Sequence, residues 1–95
     1  MIHICICDDS DAMRDELCGL IQGLCQKHSI AASVSCCSSG EELLFDPDDK
    51  NRTTDIFFLD ILMKKLNGIE TAAKLRAINP TAQIIFLTVS KEHVF

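Results

Sequence analysis

Four oxygen-bearing side chains stand where short apolar runs stop. Asp8 and Asp9 follow Ile2-His3-Ile4-Cys5-Ile6-Cys7, Asp60 closes Ile56-Phe57-Phe58-Leu59, and Thr88 follows Gln83-Ile84-Ile85-Phe86-Leu87. Three carboxylates brought together repel one another, so they either take up protons or bind a cation. Hard oxygen donors of this kind suit Mg2+, which keeps several waters and commonly bridges carboxylates to a phosphate. A hydroxyl at Thr88 could bond a phosphoryl oxygen. Phosphoryl transfer needs mainly positioning and charge neutralisation, and this set could supply both. Taken singly, each Asp reads as a strand-end residue in water; the chemistry rests on their meeting.

The elements that carry these residues must therefore bring them to one place. In Asp55-Ile56-Phe57-Phe58-Leu59-Asp60 the apolar run is too short for a helix core and suits a strand buried on both faces of a parallel sheet. Residues 2–7 form a β-branched strand. Ser10 or Asp11 then caps a helix whose apolar stripe, Met13, Leu17, Leu20, Ile21 and Leu24, lasts to about His28. Gly19 and Gly23 weaken that helix and are expected to let it pack closely on the sheet. A second strand covers 30–36, with Ala32, Val34 and Cys36 on one face. Ser39 and Glu42 match a capping box for a short helix carrying Leu43, Leu44 and Phe45. The polar stretch 46–54 is expected to be an exposed loop, the least ordered internal segment.

After the central strand, 61–68 is a loop ending in the turn pair Asn67-Gly68. Ile69, Ala72, Ala73, Leu75, Arg76 and Ile78 mark a third helix, stopped at Asn79-Pro80. Gln83 to Leu87 reads as another fully buried strand, and 91–95 as the beginning of a helix. This strand–helix alternation implies an α/β domain with a parallel sheet, helices on both faces and right-handed crossovers. A doubly wound sheet collects the carboxyl ends of its strands along one rim, where a switch in strand order opens a crevice.

Ninety-five residues allow one domain, spanning 1–95, with a modest core. The apolar fraction of 47% and charged fraction of 24% are ordinary for a soluble globular chain. No apolar run approaches the roughly 20 residues that cross a bilayer. The N-terminus lacks the basic-then-apolar pattern of a secretory signal, so a cytoplasmic location is expected. A net charge of −5 argues against this segment gripping nucleic acid. Six cysteines are present, and His3, Cys5 and Cys7 fall on one face of the first strand. Without a CxxC pair or a second ligand cluster they read as small buried hydrophobes rather than metal ligands.

Asp8-Asp9, Asp60 followed by Met63 and Gly68, and Phe86-Leu87-Thr88 together resemble the receiver domain of two-component response regulators, the CheY-like family, over the whole chain. Ile4-Cys5-Ile6-Cys7-Asp8-Asp9, Gly68-Ile69-Glu70-Thr71-Ala72-Ala73 and Ile84-Ile85-Phe86-Leu87-Thr88 are most similar to receivers joined to LytTR-type DNA-binding domains. The resemblance implies a flavodoxin-like three-layer α/β/α sandwich with strand order 2-1-3-4. It implies that Asp60 takes a phosphoryl group from a sensor histidine kinase. It also implies that Mg2+ is held by Asp8, Asp9, Asp60 and the backbone carbonyl of Leu62, with Thr88 as the switch hydroxyl. The protein would then be a regulatory switch rather than an enzyme, its output DNA binding by a separate domain.

Several positions depart from the family pattern. Lys64 stands where receivers usually have Pro, with Lys65 beside it, so that loop is expected to be more mobile and to attract phosphate or an acidic partner. Val89 replaces a usually small residue and is expected to crowd the phosphoryl pocket. The fifth strand, its Lys and the fifth helix have no room after Phe95, and Lys91 reads as a helix-start residue rather than a substitute. The expectation is an incomplete receiver with impaired switching, whose strand at 83–88 forms a bare apolar edge that dimerises, swaps elements or aggregates. Two other readings stay open. One is a Mg2+-dependent phosphatase using Asp60 as nucleophile, disfavoured by Leu62 where such enzymes commonly place a second Asp. The other is an interaction module that is never phosphorylated.

Overall fold

A computed structural model describes residues 1–87 of the chain and joins four parallel strands into one sheet. The strands are β1 (Ile2–Cys7), β2 (Ala32–Cys37), β3 (Ile56–Asp60) and β4 (Gln83–Leu87), in the order β2-β1-β3-β4. Helices α1 (Asp11–Lys27), α2 (Gly40–Leu44) and α3 (Gly68–Ile78) alternate with them. This is the doubly wound, flavodoxin-like architecture and strand order expected. Thr88, Val89, Lys91 and the helix expected at 91–95 lie outside the described residues.

Alternation along β1 and β3 divides the core in two. Cys5, Cys7, Phe57 and Leu59 face Leu43 of α2 and Ala72 and Leu75 of α3. Ile4 and Ile6, with Ile56 and Phe58 beside them, face Ile21, Leu17, Cys18 and Cys25 of α1. Phe57 and Leu59 are wholly buried, each contributing roughly 1.5–3 kcal/mol of apolar transfer. Covered on both sides, β3 is the fixed axis of the sheet.

Helix α1 begins as expected, with Ser10 Oγ accepting the Met13 N–H at 3.3 Å. Its sheet-facing row, however, is Leu17, Cys18, Ile21 and Cys25, while Leu20 and Leu24 are exposed. Gly19 and Gly23 give no close approach: both are exposed, and a Cβ on either would meet nothing within 4 Å. The helix ends with Ser29 in the left-handed region (φ 54°). There the Ile30 N–H donates to Cys25 O at 2.8 Å and the Ser29 N–H to Gln26 O at 3.2 Å, the paired closure of a Schellman cap. This consumes Ile30, so β2 runs 32–37 instead of 30–36.

Only half of the Ser39 capping box forms. Ser39 Oγ accepts the Glu42 N–H at 3.0 Å, but the Glu42 carboxylate turns back to accept from the Ser38 hydroxyl at 2.6 Å and the Ser38 N–H at 3.3 Å. These bonds hold Glu42 below the usual carboxylate range. Phe45, assigned to that helix's apolar set, is 79% exposed.

The stretch expected to be least ordered is instead tied down. Asp46 accepts the N–H groups of Lys50 and Asn51 at 2.9 and 2.6 Å, closing a 3-10 turn over Lys50–Thr53. Asn51 Nδ2 donates to Leu43 O at 2.8 Å. Asn79 Nδ2 donates to Asn51 O at 2.9 Å and to Thr54 O at 2.8 Å. Asn51, Thr54 and Asn79 are all buried, and burial is tolerable because their polar groups are bonded.

Asn67-Gly68 is not a free turn but the start of α3. Asn67 Oδ1 accepts the Glu70 N–H at 2.9 Å while Glu70 Oε1 accepts the Asn67 N–H at 3.1 Å, a complete capping box. Thr71, Ala72 and Leu75 face inward and Ile69 faces out. Strand β4, whose residue types read as fully buried but which is expected to form a bare apolar edge without a fifth strand, lies at the edge of the described sheet, with Ile85 43% and Phe86 37% exposed.

Candidate functional site

Parallel register decides where the acidic residues go. Cys7 pairs with Leu59, so the residue after each, Asp8 and Asp60, reaches the carboxyl rim at the same level. Asp8, Asp9 and Asp60 each present a carboxylate oxygen within 4.8 Å of the others. Asp8 and Asp60 are 4% and 5% exposed, and Asp9 is half-buried on the open side. The structure thus brings together all three acidic residues singled out in the sequence.

Each carboxylate is oriented locally. Asp8 accepts the Ser10 N–H at 2.9 Å, an Asx-type turn at the head of α1. Its backbone carbonyl accepts from Arg14 Nη1 at 2.9 Å, while Arg14 Nη2 pairs with Asp11. Asp60 Oδ1 accepts the Leu62 N–H at 3.1 Å. Leu62 therefore meets Asp60 through its amide, with its side chain exposed. Leu87 pairs with Asp60 in register, so the residue just before Thr88 is at the same rim.

The loop after Asp60 is fastened at both ends. Met63 is buried, and Cys7 Sγ donates to its sulfur at 3.6 Å. The Gly68 N–H donates to Ile61 O at 3.0 Å. A Cβ at Gly68 would sit 2.3 Å from Asp60 O and 2.9 Å from Ile61 Cα, so only glycine lets α3 start against the acidic strand end. Between these anchors, Lys64 and Lys65 line a cavity of about 250 Å³ with Asp9, Ser38, Ser39 and Glu41. Lys65 has φ 57°, a left-handed conformation uncommon for a residue with a side chain.

Among the described residues, Asp8, Asp9 and Asp60 are the only group of three or more His, Cys, Asp or Glu able to hold one ion. Cys5 and Cys7 belong to the core. Burial, then the neighbouring Cys37, Glu42, Asp8 and Asp60 charges, push the Cys7 thiol up to about 12, so it stays neutral beside the acidic set. The donor chemistry fits Mg2+: three hard oxygens, two fixed from behind and one on an accessible side where waters and a phosphate oxygen can complete the shell. Sequence reasoning missed Arg14, whose contact is with a backbone carbonyl and carries no motif. It also missed the close passage of Gly68 over Asp60, signalled only by the glycine itself.

An acidic triad at the carboxyl rim of β1 and β3 in a sheet of this order defines a CheY-like α/β signalling domain. The chain matches the response regulator receiver domain over residues 4–95 and belongs to that family. It is 30% identical over 95 residues to an uncharacterized response regulatory protein of Yersinia pestis, covering 98% of this chain and 36% of that protein. The sensory transduction protein LytT of Oceanobacillus iheyensis is 39% identical over 75 residues, covering 79% of this chain and 28% of that one. The response regulator TrrA of Thermotoga maritima, solved with Mg2+ and BeF, superposes with a TM-score of 0.77 at 26% identity, covering 99% of this chain and 75% of TrrA. TrrA in complex with the histidine kinase ThkA gives 0.75, at 100% and 75% coverage. The chain spans about a third of the length of the curated relatives it matches. No helix among the described residues is long and apolar enough to cross a membrane.

Proposed function

We propose that this receiver is a phospho-accepting switch: a carboxylate oxygen of Asp60 attacks the phosphorus of a phosphohistidine on a sensor kinase, the P–N bond breaks, and an aspartyl phosphate forms. The observation that carries this is the convergence of Asp8, Asp9 and Asp60 within 4.8 Å at the rim of the sheet. Asp8, Asp9, Asp60 and the carbonyl of Leu62 would hold Mg2+, which when bound supplies positive charge between the carboxylates and the phosphoryl oxygens. The chain's own work is positional. Ser10 and Leu62 amides set the Asp8 and Asp60 carboxylates, and Arg14 fixes the turn that presents Asp9. Lys64 and Lys65 place two cations beside Asp9 that draw an anionic donor toward the rim.

Thr88, which lies outside the described residues, would serve as the switch hydroxyl toward the phosphoryl group, coupling phosphorylation to the bistable response such a switch needs. A kinase partner is supported by the TrrA–ThkA complex. An output through a separate DNA-binding domain is supported by likeness to the LytT proteins, of which this chain spans about a third. The test is incubation with Mg2+ and a small phosphodonor, followed by mapping of an acid-stable, base-labile phosphate. Label on Asp60 that is lost in Asp60→Asn is the expected result; label persisting in that variant overturns the assignment.

A further inference from the structure

Strand β2 is the other edge of the sheet, and among the described residues no strand pairs with its outer side. The Ile2 N–H donates to Ala31 O at 2.9 Å and the Asp8 N–H to Cys37 O at 3.2 Å. Backbone groups alternate sides along a strand, so Ser33 and Ser35 turn theirs to β1 while Ala32, Val34 and Cys36 turn theirs outward. Native edges are commonly blunted by charge, proline or a bulge. Residues 32–37 contain neither charge nor proline, and their register with β1 runs unbroken from Ala32 to Cys37. Cavities flank this edge on both faces of the sheet. On the α2 face, one of about 260 Å³ is lined by Ser33 and Ser35, and one of about 270 Å³ by Ser35 and Cys37. Glu42, Asp46 and Asp48 line the second together with Lys50, leaving negative charge in excess. Phe45 at the same cavity is 79% exposed. On the α1 face, a cavity of about 310 Å³ is lined by Ala32, Val34, Cys25 and Ile30 with two glutamines.

We infer that the β2 edge takes an extended segment of a partner protein as an added strand, one whose residues alternate basic and apolar. The segment's main chain bonds the outward groups of Ala32, Val34 and Cys36. Its side chains point alternately to the two faces. Lysines or arginines meet Glu42, Asp46 and Asp48, with Phe45 offering an aromatic face to the cation. Apolar residues enter the cavity beside Ile30 and Val34. A second copy of this chain fits this edge less well. Its net charge of −5 repels a like-charged molecule, and its own β2 would bring serines, not cations, to the acidic side.

The experiment titrates the native chain with a labelled peptide of alternating lysine and valine, read by fluorescence anisotropy and amide hydrogen exchange. A peptide with the same residues in blocks, lysines then valines, controls for charge alone. The expected result is saturable binding that weakens with salt, about tenfold tighter than the block peptide. Exchange slows at the amides of Val34 and Cys36. Cys36→Pro removes an outward N–H that β1 does not use, and weakens binding about tenfold. Asp48→Lys, at an exposed position, weakens it and flattens the salt dependence. No binding, equal binding of the block peptide, protection on β4 instead of β2, or binding that either variant leaves unchanged would each overturn the assignment. Protection of the β2 amides that rises with protein concentration before peptide is added would give the edge to a second copy, and overturn it as well. None of these readouts passes through phosphorylation.

Discussion

Asp9 sits at the open side of the acidic triad, with Asp8 and Asp60 buried behind it. Like charges this close repel by an amount that depends on local dielectric, and neutralising one should relieve about 1 kcal/mol. Asp9→Asn is thus expected to melt higher than the parent chain in a chelator. In MgCl2 the order should narrow or reverse, because a ligand stabilises only the fold that binds it; thermal melts with and without the ion check this. Gly68→Ala forces a methyl into the Asp60 carbonyl and should cost about 1–3 kcal/mol in urea titrations, with a weaker response to MgCl2. Asp8, Asp9 and Asp60 were legible because each closes an apolar run. Arg14 was not, since a bond to a main-chain oxygen leaves no trace in residue type. Gly68 was visible as a glycine but not as the residue another strand end passes.

At the level of elements, the strands were read well because β1 and β3 are buried on two faces and their apolar runs have only one solution. Helix α1 was placed correctly and turned wrongly. Cysteine counts as core here, so the true row is Leu17-Cys18-Ile21-Cys25 rather than one running through Leu20 and Leu24. Once the helix is turned this way, Gly19 and Gly23 fall on its outer side with open space around them. Gly19→Ala and Gly23→Ala should each stabilise the fold by roughly 0.5–1 kcal/mol, measured as a shifted urea midpoint at constant slope. The segment 46–54 looked disordered because its polar residues bond to each other and to Asn79, a partner 28 residues from Asn51 that no local pattern reveals. Asn79→Ala strips the donor from the buried carbonyls of Asn51 and Thr54. A loss of about 2–3 kcal/mol is expected, far above that of an exposed Asn→Ala control.

For the molecule as a whole, the strand order came with the resemblance to receivers, and the edge position of the strand at 83–88 came with the expected absence of a fifth strand; the strand's residue types alone do not say whether it is flanked. The run 83–87 reads as interior, yet in the described sheet β4 has β3 on one side only, and Ile85 and Phe86 face water from its two sides. Among the described residues no strand pairs with the outer side of β4, and an apolar edge of that kind is a template for a second strand. Opposing this is the chain's net charge of −5, which repels a second copy at low ionic strength. Salt screens that repulsion over about 8–10 Å at 0.1–0.15 M but leaves the short-range apolar contact intact. Self-association is therefore expected to strengthen from low salt to 0.15 M in sedimentation velocity runs at fixed protein concentration. Ile85→Lys, adding a like charge at the contact itself, should hold the chain monomeric at both salt concentrations. A parent chain that stays monomeric throughout would overturn the expected self-association, and association that Ile85→Lys leaves unchanged would place the contact away from β4.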